Sequence, residues 1–154
     1  MNVEIINFPE TKISVYEHHG SSTLENESIM RLVQWRKENK LAPSDIHRSY
    51  GIHYNDPNTV SPADYRVDLC VSVLDDVAPN QHGVVTKIMP ALRCARVRYL
   101  GSRENMTTAR DLYKKWLPKS GETLAKFPIF FHYVNVGPGV EDSDMITDVY
   151  LPIE

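Results

Sequence analysis

The chain is poor in the features that staple or anchor a protein. Two cysteines in 154 residues are too few for a disulfide framework. Cys70 and Cys94 each fall within an apolar, strand-like run, where a free thiol behaves as a small buried hydrophobe. No hydrophobic run is long enough to cross a bilayer, so no membrane is expected. Met1-Asn2-Val3-Glu4 has no basic n-region, and the expected compartment is the cytoplasm. Excess charge is lacking as well. Seventeen Lys and Arg against twenty Asp and Glu leave a formal net charge of -3, which gives no field for a phosphate backbone. Direct nucleic-acid binding is therefore not expected.

Recognisable reaction chemistry is also scarce. His18 and His19 are neighbours on a strand-like run and point to opposite faces, and the other four histidines show no helical ligand spacing. Neither metal nor cofactor is expected. There is no Gly-x-Ser-x-Gly elbow. Gly137-Pro138-Gly139 precedes no helix start, so it reads as a loop, not a phosphate cradle. No catalytic set stands out.

What the chain does have is a repeat at a spacing of about 81 residues. Pro9, Gly20, Ser21 and Trp35 recur as Pro90, Gly101, Ser102 and Trp116. Later the offset drifts: His53-Tyr54 matches His132-Tyr133, and Asp68-Leu69 matches Asp148-Val149. The chain is thus read as one domain over 1–154, made of pseudo-repeats 1–76 and 82–154. Such a duplication implies a pseudo-twofold molecule with a central seam, a common place for a ligand pocket.

Each half reads as two strands, a helix and two strands, an α+β fold. In the first half, strands are expected over Val3–Phe8, Lys12–His18, Arg48–Tyr54 and Tyr65–Leu74. Ser22 and Glu25 have capping-box spacing for a helix that buries Ile29, Leu32 and Val33 and ends near Asn39. In the second half, the strands are Val84–Met89, Arg93–Leu100, Pro128–Val134 and Met145–Ile153. Its helix runs from Asn105 to Leu117, with Pro118 ending it. Trp35 and Trp116 read as equivalent core anchors.

Alternation in the last strand of each half separates two faces. Val67, Leu69, Val71 and Val73 should pack under a helix, with Arg66, Asp68, Cys70 and Ser72 opposite. An ion pair between Arg66 and Asp68 is expected. Thr147, Val149, Leu151 and Ile153 likewise leave Asp148 and Tyr150 on the second face. Phe131 and Tyr133 of the neighbouring strand are expected to join these, and Tyr16 and Tyr54 to contribute from the first half. Rings beside a carboxylate are the ingredients for binding a flat, cationic, partly apolar molecule.

At these residues the chain resembles the GyrI-like small-molecule-binding family. That family includes a DNA gyrase inhibitory protein and the effector-binding domains of Rob- and BmrR-type transcription regulators. The matching pieces are Val15 to Gly20, Tyr50-Gly51-Ile52, Arg66 to Val71, Trp116 to Gly121, Pro128 to Tyr133 and Thr147 to Ile153. The resemblance implies duplicated β-β-α-β-β units, with a curved antiparallel sheet, helices on one face and a central pocket. It implies a stand-alone binding domain for an amphipathic, aromatic organic ligand. The alternatives it leaves are a partner such as DNA gyrase or a transcription-regulatory protein, and hydrolysis of strained electrophiles. Where the family often has Pro-x-Phe-Glu-x-Tyr, this chain has Pro128-Ile129-Phe130-Phe131-His132-Tyr133. Phe131 thus replaces the family's glutamate, which argues for a binding protein over an enzyme. Asp148 becomes the leading acidic candidate, and Glu17 the second.

Overall fold

Period-two patterning produces eight strands, close to the expected boundaries. The computed structural model describes all residues, 1–154. The strands are β1 (Glu4–Phe8), β2 (Thr11–His19), β3 (Ser49–His53), β4 (Arg66–Ser72), β5 (Val85–Met89), β6 (Leu92–Leu100), β7 (Phe130–Tyr133) and β8 (Ile146–Ile153). Every pairing is antiparallel. The α+β class follows, as does the expectation of a helix on one face of the strands in each unit.

The chain forms two compact units, Thr11–Met89 and Met1–Glu10 with Pro90–Glu154. In the first, β4 lies between β3 and β2, and β5 borders β2. In the second, β8 lies between β7 and β6, and β1 borders β6. The opening strand of each repeat therefore pairs within the unit built mainly from the other repeat. Pro9 and Pro90 lie beside the two points where the chain passes from one unit to the other.

Local devices repeat between the units. Gly20 and Gly101 have φ of 120° and 130°, a region that side chains rarely allow. Their N–H groups donate to Tyr65 O and Met145 O, both at 2.9 Å. Asn55 Nδ2 donates to Asp64 O while its Oδ1 accepts from Arg66 N. Asn135 does the same with Asp144 O and Ile146 N. Ser21 and Ser102 each cap a short 3-10 turn with the side-chain oxygen. Ser21, not Ser22, is thus the cap.

The helices differ. In the first unit α1 (Glu25–Glu38) is one unbroken helix. It buries Ser28, Leu32, Trp35 and Arg36 but leaves Ile29 at 37% exposure, so its inner stripe is rotated from the expected one. Leu32 and Trp35 pack on Val67, Leu69 and Val71. The second unit has α2 (Thr108–Asp111), a π-helical turn over Leu112–Trp116, and α3 (Leu117–Ser120). Pro118 does not end this segment. It sits in the first turn of α3, where a missing N–H costs least. Gly121, at φ 75°, follows α3. Leu112 packs on Ala95, Val97, Val149 and Leu151, and Trp116 packs against the same cluster.

Candidate functional site

Residues directly opposite one another in a ladder share a face, so the registers settle which side chains meet. In the first unit Asp68 lies opposite Glu17 of β2 and Ile52 of β3. Lys87 of β5 lies opposite Ile13, which alternation puts on the same face as Glu17. The side chains converge. Lys87 Nζ donates to Asp68 Oδ2 at 2.8 Å and to Glu17 Oε2 at 3.0 Å. Tyr54 Oη donates to the same Asp68 Oδ2 at 2.7 Å. The Arg66 guanidinium lies 4.0 Å from the centre of the Tyr54 ring and 3.8 Å from Glu17. The expected Arg66–Asp68 pair is not formed. Lys87 reaches Asp68 instead, and Arg66 turns to Tyr54 and Glu17.

Asp68 is wholly buried, and its Oδ1 has no hydrogen-bond partner. Around it the titrations shift. Burial, then the bond to Asp68, push the Tyr54 phenol up to about 12. Burial opposes the charge on Lys87, but its bonds to Asp68 and Glu17 outweigh that and hold its pKa above the ordinary value. Burial pushes the Cys70 thiol, on the same face, well up. Both cysteines are free and buried, as expected.

The second unit answers the same problem differently. Asp148 lies opposite Arg98 of β6 and His132 of β7. Arg98 grips it with two bonds, Nε to Oδ1 at 2.8 Å and Nη2 to Oδ2 at 3.0 Å. The bond to Asp148 raises the Arg98 pKa. Tyr150 lies opposite Phe130, whose ring stacks on it at 4.8 Å and 3°. Phe8 of β1 meets both rings edge-on, at 4.9 and 5.4 Å.

These registers divide the expected site residues between two faces. Asp148 and Tyr150 share one with His132 and Phe130. Phe131 lies opposite Val149 and Tyr133 opposite Thr147, which places both on the helix-side face. Phe131 packs on the core cluster there, and Arg103 lies 5.0 Å from the Tyr133 ring. Tyr16 likewise lies opposite Leu69 and packs on the helix-side cluster. Tyr54 does reach the Asp68 face, through its hydroxyl. The one-residue error has a source. Within the ladders Ile52 faces Asp68 just as His132 faces Asp148, so Ile52 corresponds to His132. The sequence match of His53 with His132 is one residue out of phase, and a slip of one exchanges the faces. Phe130, His132 and Lys87 were missed for that reason or because they lie on other strands.

No group of three or more His, Cys, Asp or Glu side chains is arranged to hold a metal ion. What the two faces hold is a buried aromatic stack and buried carboxylates that each already hold a cation.

A family model described as a GyrI-like small molecule binding domain matches residues 1–154. The chain is 35% identical over 154 residues to the probable transcriptional regulator YgiV of Escherichia coli strain K12, covering 99% of this chain and 96% of that one. It is 25% identical over 158 residues to a DNA gyrase inhibitor of Erwinia billingiae strain Eb661, covering 99% and 97%. The fold resembles the solved structure of SAV2435 bound to tetraphenylphosphonium, with a TM-score of 0.63, 9% identity and coverage of 100% and 94%.

Proposed function

The chain belongs to the GyrI-like small-molecule-binding family, and from that premise we propose that it binds an amphipathic, aromatic organic molecule without transforming it. The observation that carries the reading is the family match over the whole length, 1–154. The binding of an aryl cation by a protein of similar fold supports it. The proposed contacts in one unit are Asp148 and Tyr150, with Phe130 and His132 beside them. In the other they are Tyr54 and Asp68. Hydrolysis has less support, because Asp68 is held by Lys87 and Asp148 by Arg98. A general acid or base needs a carboxyl free to exchange a proton with a substrate.

The test is a thermal-shift and calorimetric screen against aryl compounds that are cationic, neutral and anionic. A ligand at about a hundred times its Kd stabilises the folded state by about 2.7 kcal/mol. At least one class should raise Tm in this way. A screen in which no compound of any class raises it contradicts the reading.

The gyrase inhibitor relative favours a second reading, action on DNA gyrase. It requires a change in gyrase supercoiling when the protein is added without small ligand. Unchanged supercoiling at excess protein removes it.

A further inference from the structure

One half-buried cation on the helix-side face of the second unit has no anion. Arg103 follows the cap residue Ser102, where the first unit has Ser22 after Ser21. Its Nε donates to Thr147 Oγ1 at 2.7 Å, and its Nη2 donates to Asn135 O and Ile146 O at 3.2 and 3.0 Å. All three acceptors are neutral. Arg93, Arg96 and Arg98 of the same unit each hold a carboxylate, but Arg103 forms no ion pair. Glu104 beside it and Glu141, Asp142 and Asp144 of the neighbouring loop are exposed, and none pairs with it. Burial pushes the Arg103 pKa down, and the Tyr133 phenol pulls the other way. Arg36 of the first unit also bonds only neutral acceptors, but it spends all three nitrogens on them, at Leu41 O, Ser49 Oγ and His47 O. Arg103 spends two. Its Nη1 makes no hydrogen bond and is not sealed from solvent.

We propose that Arg103 anchors a ligand site on the helix-side face of the second unit, and that the site takes aryl carboxylates. This inference rests on the small-molecule reading above and adds a site on the opposite face of β7 and β8 from Asp148 and Tyr150. A partly desolvated charge without a counter-ion is costly, and a carboxylate oxygen at Nη1 relieves that cost through a charge-assisted bond. With Nε and Nη2 already engaged, the guanidinium offers one nitrogen, not the two-bond fork that Arg98 makes. Rings lie beside it. The Tyr133 ring centre is 5.0 Å from the guanidinium, and the Phe131 ring is 6.3 Å from that of Tyr133, edge to face. Both residues are half-buried, so each keeps surface for an arene held by its carboxylate. An organic cation would meet like charge at Arg103. An inorganic anion gains the charge but not the rings, and a neutral arene the rings but not the charge.

The experiment compares naphthoate with neutral naphthamide by calorimetry, in the full chain and in two variants. The wild-type protein is expected to bind naphthoate at least about tenfold more tightly than naphthamide. Arg103→Met should bring the two affinities within about twofold of each other. That variant also loses the bonds to Thr147, Asn135 and Ile146. Phe131→Glu is therefore measured beside it. It keeps those bonds and adds a negative charge beside the Tyr133 ring, so the ratio of naphthoate to naphthamide affinity should fall at least about fivefold, whatever the lost ring contact costs both compounds. Inorganic phosphate in large excess should not displace naphthoate. Equal affinities in the wild type, a ratio that neither variant lowers, or displacement by phosphate overturns the proposal. The small-molecule reading survives each of these, because an aryl compound still binds. If neither compound binds any form, this inference falls, and the small-molecule reading falls with it only when the wider aryl screen also finds nothing.

Discussion

Asp68 and Asp148 stand at matching places in two related units, and each unit neutralises its acid by different means. Asp148 is gripped by Arg98 from the adjoining strand, in a planar two-bond fork. Asp68 has a glutamate, Glu17, at the position that corresponds to Arg98. Its cation comes from one strand further out, as a single ammonium shared with Glu17. Position in the ladder thus fixes where the carboxylate goes, while the neighbours decide how firmly it is tied. The fork leaves Asp148 with both oxygens engaged. The shared ammonium leaves Asp68 with one oxygen unbonded. Each acid is thus matched by one cation, Asp148 by the Arg98 fork alone and Asp68 by a shared ammonium with the Tyr54 hydroxyl beside it.

The largest expected effect concerns the aromatic stack, found on the Asp148 side. Phe130 is fully buried against Tyr150 and Phe8. Phe130→Ala should cost about 3–5 kcal/mol in denaturant unfolding. A loss below about 1 kcal/mol would mean that this stack does not support its unit.

The acids come next. Asp148→Asn puts an amide where Arg98 needs two acceptors, at a cost of about 2 kcal/mol. Asp68→Asn keeps an acceptor for Tyr54 and leaves Lys87 with Glu17, at a cost of about 1 kcal/mol. Asp148→Asn should thus be the more destabilising in urea. The reverse order would break the comparison.

Gly20→Ala and Gly101→Ala test sameness instead of difference. Both positions have strongly positive φ, so each should lose about 1 kcal/mol or more, and by similar amounts. Unequal losses would show that the two turns are not equivalent.

The smallest effect is a titration. Burial, then the bond to Asp68, push the Tyr54 phenol up to about 12, above its ordinary value of 10.0. The folded state therefore holds this proton longer than the unfolded one. The associated stability is full below pH 10 and is lost as pH rises towards 12. Ultraviolet absorbance should show one tyrosine titrating late, and Tyr54→Phe should remove that step. An unchanged late step assigns it elsewhere.

Much of this was legible in the sequence, and the gaps have physical causes. Alternation located all eight strands, because half-buried strands must alternate. It could not say which strands pair, so the placement of β1 with β6 and of β5 with β2 was hidden. The 81-residue match of Trp35 with Trp116 identified both core anchors. The same matching failed at β7, where a one-residue phase error moved Phe131 and Tyr133 to the wrong face. Pro118 read as a stop because sequence periodicity does not anticipate a π-helical turn. Lys87 went unnoticed because its partner lies 19 positions away on a strand it does not pair with.

We propose that the sheet faces bearing Asp68 and Asp148 receive a small aryl molecule. Backbone amide shifts of the labelled protein, followed by NMR during titration with triphenylphosphine oxide, test it most directly. The account predicts saturable shifts centred on β3 and β4 around Asp68 and on Phe130 to His132 of β7. Saturable shifts confined to α1 or to loop 137–144, with the Asp68 strand unmoved, would contradict it.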